Sequence, residues 1–209
     1  KLLDAAGVQF LPAINEDLAA TACLGTQRVA LDPKRTVDGV VAMWYGKGPG
    51  VDRSGDALKH GNVYGSSPMG GVLVVAGDDH GCVSSSMPHQ SDLAMQAWSM
   101  PVLHPANVAE YLEFGLYGWA LSRFSGAWVG FKAISEVVES GMTVDLDAVP
   151  LDFTLPVDFA PPQSLHVRSV DLPSLALEER LAAKLDAVRA FARINSLDSP
   201  WVLDDLTTL

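Results

Sequence analysis

The sequence from residue 71 to residue 76 is GVLVVA, and the polar residues GDDH follow it at once at 77–80. Six consecutive apolar residues have the length of a strand, and their lack of alternation indicates burial on both faces. Strands of this kind occur in parallel sheets that helices cover on both sides. The stretch therefore predicts an inner strand of a parallel sheet, with loop 77–90 at the strand end where such folds bind ligands.

The same reasoning extends outward along the chain. Apolar runs of strand length occupy four further ranges: 8–11, 39–45, 101–103 and 127–134. Helix-like segments separate them at 15–31, where Asn15 is a suitable N-cap, and at 106–122. Strands alternating with helices predict an α/β fold over residues 1–140, with a parallel sheet flanked by helices.

The pattern changes after residue 140. Prolines interrupt residues 141–174 repeatedly, which predicts an extended linker because proline cannot continue a helix. Residues 175–195 have helical apolar periodicity and predict an amphipathic helix. We expect region 175–209 to lead toward a next domain, with the helix packing on the core or on that domain.

Composition restricts the function classes. The chain has 209 residues, with 14 Lys and Arg against 25 Asp and Glu, for a formal net charge of −11. Such a chain is a poor binder of nucleic acid or of an anionic membrane surface, and no apolar stretch approaches the ~20 residues of a transmembrane helix. The cysteines, Cys23 and Cys82, form no disulfide framework, so we expect a reducing cytoplasm. The missing initiator Met indicates a piece of a longer protein.

Residues 44–53, WYGKGPGVDR, form the first candidate site. Glycines at 46, 48 and 50 let a backbone approach a ligand, and Lys47 and Arg53 add positive charge. The stretch resembles a phosphate cradle but has neither the Lys-Ser/Thr end of a Walker loop nor the dinucleotide fingerprint. It is either a functional loop or a tight turn.

Further polar groups leave alternatives open. Asp78, Asp79 and His80 could bind a metal or transfer protons, but carboxylates there also fix loops by bonding to backbone N–H groups, which we favour. Glu16 lies at a predicted helix start, where acids usually stabilise the helix dipole. His60 lies on a predicted helix and is more often structural than catalytic in such a place.

Several long motifs in one order carry a resemblance. The chain resembles the fused indolepyruvate ferredoxin oxidoreductases, which belong to the thiamine-diphosphate-dependent 2-oxoacid:ferredoxin oxidoreductases. The matching stretches are NEDLAATA at 15–22, MWYGKGPGVDR at 43–53, GDDH at 77–80 and LYGWALSRF at 116–124. The resemblance covers residues 1–140 densely and continues through 175–195. It implies a pyrimidine-binding α/β domain whose first strand precedes residue 1.

The resemblance also implies a reaction. Family members oxidatively decarboxylate arylpyruvates to acyl-CoA, with coenzyme A as substrate and ferredoxin as electron acceptor. By position Glu16 looks like the glutamate that shares a proton with N1′ of the cofactor's aminopyrimidine, a role that requires partial burial. The same resemblance makes Gly46, Lys47, Gly48, Arg53 and His60 candidate cofactor neighbours.

The sequence departs from the family pattern in two respects. It has no Gly-Asp-Gly motif for Mg²⁺ and diphosphate and no cluster cysteines. We therefore expect the diphosphate site and the iron–sulfur clusters elsewhere in the full protein. The expected partners are its remaining domains, ferredoxin and a second copy in a homo-oligomer. Alternatives are a related enzyme for another 2-oxoacid and a non-catalytic α/β oligomerisation module.

Overall fold

A four-stranded parallel sheet forms the centre of the molecule. The computed structural model describes residues 1–149, 152–161, 163–169 and 174–197. The strands are β1 (Val41–Lys47), β2 (Gly71–Asp78), β3 (Val102–Leu103) and β4 (Val129–Ile134), in the spatial order β1-β2-β4-β3. All neighbouring pairs are parallel, with Trp44 opposite Val74 and Val75 opposite Phe131. The predicted α/β fold with a parallel sheet flanked by helices is confirmed.

Helices precede, connect and follow these strands. In chain order they are α1 (Leu2–Ala5), α2 (Glu16–Gln27), α3 (Gly48–Arg53), α4 (Gly55–Tyr64), α5 (Ser91–Ala97), α6 (Val108–Ser125), α7 (Ser135–Val138) and α8 (Leu175–Ile194). A 3-10 turn, Arg28–Leu31, extends α2 to the end of the predicted helix. In the described ranges no helix is both long and apolar enough to cross a bilayer.

The prediction of a strand at residues 8–11 is wrong. These residues form no strand, and Phe10 and Leu11 are exposed. The Val8 amide donates instead to the Leu3 carbonyl in the turn that follows α1. A four-residue apolar run becomes a strand only where a neighbouring strand accepts its hydrogen bonds, and the described chain provides no such neighbour here.

One face of the sheet is covered by α2, α4 and α5. Alternate residues of β2, Val72 and Val74, point to this face and are fully buried. Two tryptophans, Trp44 and Trp128, fill the space between the sheet and these helices. Large buried aromatic rings contribute strongly to such a core because of the apolar area that they remove from water.

The opposite face is covered by α6 and α8. Leu73 and Phe131 pack there against α6, and Phe191 of α8 is fully buried among aromatic rings. Over β1 this face is open, so Met43 and Tyr45 remain exposed. The sheet is therefore completely covered at its centre and only partly covered at the β1 edge.

Helix α8 is attached to the domain by buried cations as well as by apolar packing. Lys184 donates to the carbonyls of Asn62 and Val63, at 2.7 and 2.9 Å, and Arg180 donates to the Tyr64 carbonyl at 3.3 Å. These carbonyls belong to the last turn of α4, where a positive charge offsets unpaired acceptors. The helix thus packs on the core of residues 1–140, and the described parts of 141–174 connect the two as extended chain and turns.

Candidate functional site

Helix α2 places Glu16 at the carboxyl edge of the sheet. The Asn15 side chain caps the helix by accepting the Leu18 amide at 2.9 Å. The indole N–H of Trp44, in the middle of β1, donates to the Glu16 carbonyl at 2.9 Å. At the other end of the helix, Gln27 donates to the Val40 carbonyl ahead of β1. Helix α2 therefore runs antiparallel to β1, and its first residue lies where β1 ends.

The Glu16 side chain packs on helix α3. Gly50 of α3 is buried, and a Cβ at this position would lie 2.7 Å from Glu16 Cγ. The absence of a side chain at Gly50 therefore allows Glu16 to lie on the helix backbone. Glu16 as a residue is exposed on this chain. The prediction that Glu16 is partly buried is therefore wrong for this chain.

The functional loop or tight turn predicted within residues 44–53 is replaced by the end of a strand and a helix. Gly46 and Lys47 belong to β1, and α3 begins directly at Gly48. Pro49 lies in the first turn of α3, where its fixed φ angle suits a helix and its missing N–H is not needed. The stretch is therefore neither a glycine-rich loop nor a tight turn, and its glycines allow close contact with neighbouring side chains.

Three of the other predicted cofactor neighbours, Lys47, Arg53 and His60, are exposed side chains on three different elements. Lys47 is exposed and donates to the Ser84 carbonyl at 2.9 Å, which attaches it to loop 79–90. Arg53 is exposed at the end of α3. His60 is exposed on α4, and its Nδ1 contacts the Asp56 carbonyl of the same helix at 2.8 Å. In the described chain none of these three forms a hydrogen bond or ion pair with Glu16.

The two carboxylates at the end of β2 organise loop 79–90. Asp79 is buried and accepts the amides of Ser84 and Val83, both at 2.8 Å. These backbone N–H groups lower the pKa of Asp79. Asp78 accepts the Ser91 amide at 2.9 Å and the Ser91 hydroxyl at 2.6 Å. Of the two alternatives for GDDH, the structure therefore shows the one in which the carboxylates fix the loop.

Sequence reasoning missed Lys132, a buried cation at the same edge. Lys132 Nζ lies 2.7 Å from Asp92 Oδ1 and 3.7 Å from Asp78 Oδ2. The hydrogen bond from Lys132 lowers the pKa of Asp92, although partial burial opposes the effect. The signal was a single lysine inside the apolar run AWVGFKAI at 127–134, because a charge in a buried strand requires a partner.

Two further histidines, His80 and His104, interact electrostatically with this group of charges. Partial desolvation of its ring lowers the pKa of His104, with a further contribution from the nearby Lys132 ammonium, although the residue as a whole is exposed. His80 Nε2 is buried without a hydrogen-bond partner. Across the described ranges, no group of three or more His, Cys, Asp and Glu side chains is arranged to hold a metal ion.

Sequence reasoning also missed the placement of His89. The ring of His89 lies against Gly48, where a Cβ would be 2.7 Å from its Nδ1. That nitrogen is 3.8 Å from Asp52 Oδ2, and the side chain is only 14% exposed. No pattern in the sequence predicts that residue 89 lies beside helix α3; this contact depends on the three-dimensional fold.

The arrangement fits one half of a thiamine site. Glu16 would provide the carboxyl group that an aminopyrimidine requires, whereas the buried backbone at Gly50 is already covered by the Glu16 side chain. Diphosphate with Mg²⁺ requires carboxylate and carbonyl oxygens at a common point. Asp78 and Asp79 use their oxygens within the protein, so they do not provide that second half.

Comparison with protein-family models, with curated proteins and with solved structures found no match to this chain.

Proposed function

We propose that this chain is the pyrimidine-binding part of a thiamine-diphosphate-dependent 2-oxoacid:ferredoxin oxidoreductase, resembling the fused indolepyruvate enzymes. The observation that carries the proposal is the position of Glu16. Its backbone is fixed by the Trp44 indole and its side chain lies on Gly50, at the edge of the sheet where α/β folds bind ligands.

The chain's own residues have defined tasks in this proposal. Bound thiamine diphosphate would supply the carbanion chemistry that cleaves the bond between the carboxylate and the oxo carbon. Glu16 would hold the proton that its carboxyl group shares with the ring nitrogen. Asn15 and Trp44 keep the start of α2 in place by hydrogen bonds, so that the carboxyl group is positioned before the cofactor binds.

The remaining components belong outside the described residues. We propose that other domains of a complete cytoplasmic enzyme bind the Mg²⁺ and the diphosphate and carry the iron–sulfur clusters. Coenzyme A would accept the acyl group, and ferredoxin would accept the electrons. Because the cofactor lies between two domains in this arrangement, the exposure of Glu16 on the isolated chain agrees with the proposal.

The direct test is Glu16→Gln in the complete enzyme, assayed with an arylpyruvate, coenzyme A and ferredoxin. Glutamine preserves the shape but cannot exchange a proton, so turnover should fall by about 10²-fold or more. The matched control is Glu178→Gln, which removes an exposed acid from the first turn of another helix, α8. Wild-type turnover in the Glu16 variant, with both proteins folded, would contradict the proposal.

A non-catalytic oligomerisation module is the second candidate, favoured by the open face over β1. Met43 borders an apolar groove of about 590 Å³ between the sheet and α6, and Tyr45, two residues further along β1, is exposed. A second copy of the chain could cover this face. The Glu16 variant separates the two candidates, because a module that only associates would keep its role without that carboxyl group.

A further inference from the structure

An apolar groove lies on the open face of the sheet, beside α6. Its volume is about 590 Å³, and among the described residues those that line it, from the sheet, from α6 and from the chain after α7, include no charged side chain. Met43 on β1 and Leu116 on α6 are 52% and 40% exposed there. An exposed apolar surface that spans several elements marks a place where a partner or another part of the chain binds.

The end of α8 lies close to this groove. The Thr154 amide donates to the side chain of Asn195, the residue after α8, at 2.8 Å, and that side chain donates back to the Thr154 carbonyl at 2.9 Å. Val149 lines the groove, and the five residues from it to Thr154 span at most about 18 Å. Leu197, the last described residue, packs on the hydrophobic cluster that contains the groove residue Phe131. The chain beyond residue 197 therefore starts within a short reach of the groove.

The twelve residues that follow, 198–209, have a suitable length and composition. Their sequence is DSPWVLDDLTTL, which lies outside the described residues. Fully extended, this segment reaches about 40 Å, more than twice the limit on the distance between Thr154 and Val149. Trp201, Val202 and Leu203 form an uncharged apolar run between polar residues. Such a run matches a groove that has no charged lining, because neither surface then loses the hydration of a charge.

A tethered segment has an advantage over a second copy of the chain. A segment joined by a short flexible connection is present at the groove at a local concentration in the millimolar range, whereas a separate chain is present only at its concentration in solution. At micromolar protein, a second copy would have to bind about 10³-fold more tightly to displace the segment. The chain's own residues are therefore the favoured occupant.

We propose that the apolar run 201–203 occupies the groove in the 209-residue chain, so that the chain covers the open face over β1 with its own residues beyond α8. The inference does not depend on Glu16 or on the proposed function. It makes this face unavailable to a second copy, and it therefore opposes the oligomerisation module that the open face favours.

Methionine oxidation measures how far the groove is covered. Met43 in the groove and Met69 outside it are 52% and 53% exposed in the described structure, so Met69 is a matched internal reference. The 209-residue chain is treated with dilute hydrogen peroxide, and peptide mass spectrometry gives the ratio of the Met43 to the Met69 oxidation rate. Trp201→Ser/Leu203→Ser should raise this ratio about threefold or more, the change expected if the segment covers the groove at least two thirds of the time.

A second variant changes the groove and leaves the segment intact. Leu116→Asp places a carboxylate in the groove from α6 and should raise the ratio to a similar extent, because an apolar run does not bind beside a buried charge. The control is Thr207→Ala/Thr208→Ala, which changes polar residues of the same segment and should leave the ratio as in the wild type. Circular dichroism checks that each variant retains the fold.

The outcomes separate the possible occupants of the groove. A ratio that rises in both variants, at every protein concentration and with a monomeric mass in light scattering, supports the proposal. A ratio that stays at the wild-type value in either variant overturns it. Protection of Met43 that increases with protein concentration, together with a doubled mass, assigns the groove to a second copy and overturns it as well.

Discussion

Replacing Lys132 by methionine removes the cation from the buried network at the carboxyl edge. The lysine and Asp78 side chains are 6% and 0% exposed, so the substitution leaves a carboxylate in the interior without its counter-charge. Methionine occupies a similar volume, and the variant therefore tests the charge with little change in packing.

The magnitude follows from the contacts. Breaking a buried ion pair by removing one partner costs about 3–5 kcal/mol. Asp78 keeps both hydrogen bonds from Ser91, which moderates the penalty, whereas the bond to the half-exposed Asp92 adds at most about 1 kcal/mol. We expect a loss of about 3 kcal/mol in the free energy of unfolding. At a urea m value of about 2 kcal/mol/M, the midpoint falls by about 1.5 M.

The assay is urea unfolding of the 209-residue chain at pH 7, followed by circular dichroism. Lys59→Met, which changes an exposed lysine on α4, is the control and should shift stability by less than about 0.5 kcal/mol. The double variant Lys132→Met/Asp78→Asn should recover part of the loss, because the remaining buried group is then neutral. A loss below about 1 kcal/mol in the single variant, or no recovery in the double one, would refute the reasoning.

Four further predictions concern other parts of the molecule. Asp92→Asn should destabilise the chain at pH 7, and because the folded-state pKa of Asp92 is lowered, the difference from wild type in urea titrations should begin to shrink near the unfolded-state pKa of about 4 and disappear only below the lower folded-state pKa. Gly48→Ala should destabilise by about 1–3 kcal/mol through overpacking, whereas the control Gly25→Ala, with no neighbouring atom within 4 Å of the added Cβ, should stabilise by up to about 1 kcal/mol. Phe191→Ala should cost about 3–5 kcal/mol in thermal or urea unfolding, since the ring is fully buried. Calorimetry of the isolated chain with thiamine diphosphate and Mg²⁺ should show no tight binding, and micromolar affinity would contradict the division of the site between domains.

The elements that were predictable from sequence are those with a strong local pattern. The run GVLVVA predicts β2 because six consecutive apolar residues are typical of a strand that is buried on both faces. The helix after Asn15 is predictable because it has both an N-cap and acidic residues in its first turn. Helix α8 follows from apolar periodicity over twenty residues. In each of these elements, the local sequence pattern favours the same structure that the tertiary contacts stabilise.

The elements that were not predictable depend on partners distant in sequence. Residues 8–11 have the composition of a strand but no strand beside them, whereas the glycines at 48 and 50 conceal helix α3 because glycine disfavours helices. Those glycines are required by Glu16 and His89, which come from elsewhere in the chain.

The candidate site was predictable only in part. The motif NEDLAATA placed Glu16 at a helix start, but its contact with Gly50 depends on how α2 crosses the end of β1. Lys132 and Asp92 are 40 positions apart, and only the parallel pairing of β2 with β4 brings the lysine to the edge where Asp78 lies. Burial and pairing of charges are tertiary properties that spacing along one segment does not encode.

The most direct measurement of the central claim is an experimental structure of the complete enzyme with thiamine diphosphate and Mg²⁺ bound. The account predicts a Glu16 carboxyl oxygen within hydrogen-bond distance, about 2.5–3.0 Å, of N1′ of the aminopyrimidine, with the ring beside helix α3. A cofactor bound with another residue's carboxyl group at that nitrogen, and Glu16 in solvent, would contradict it.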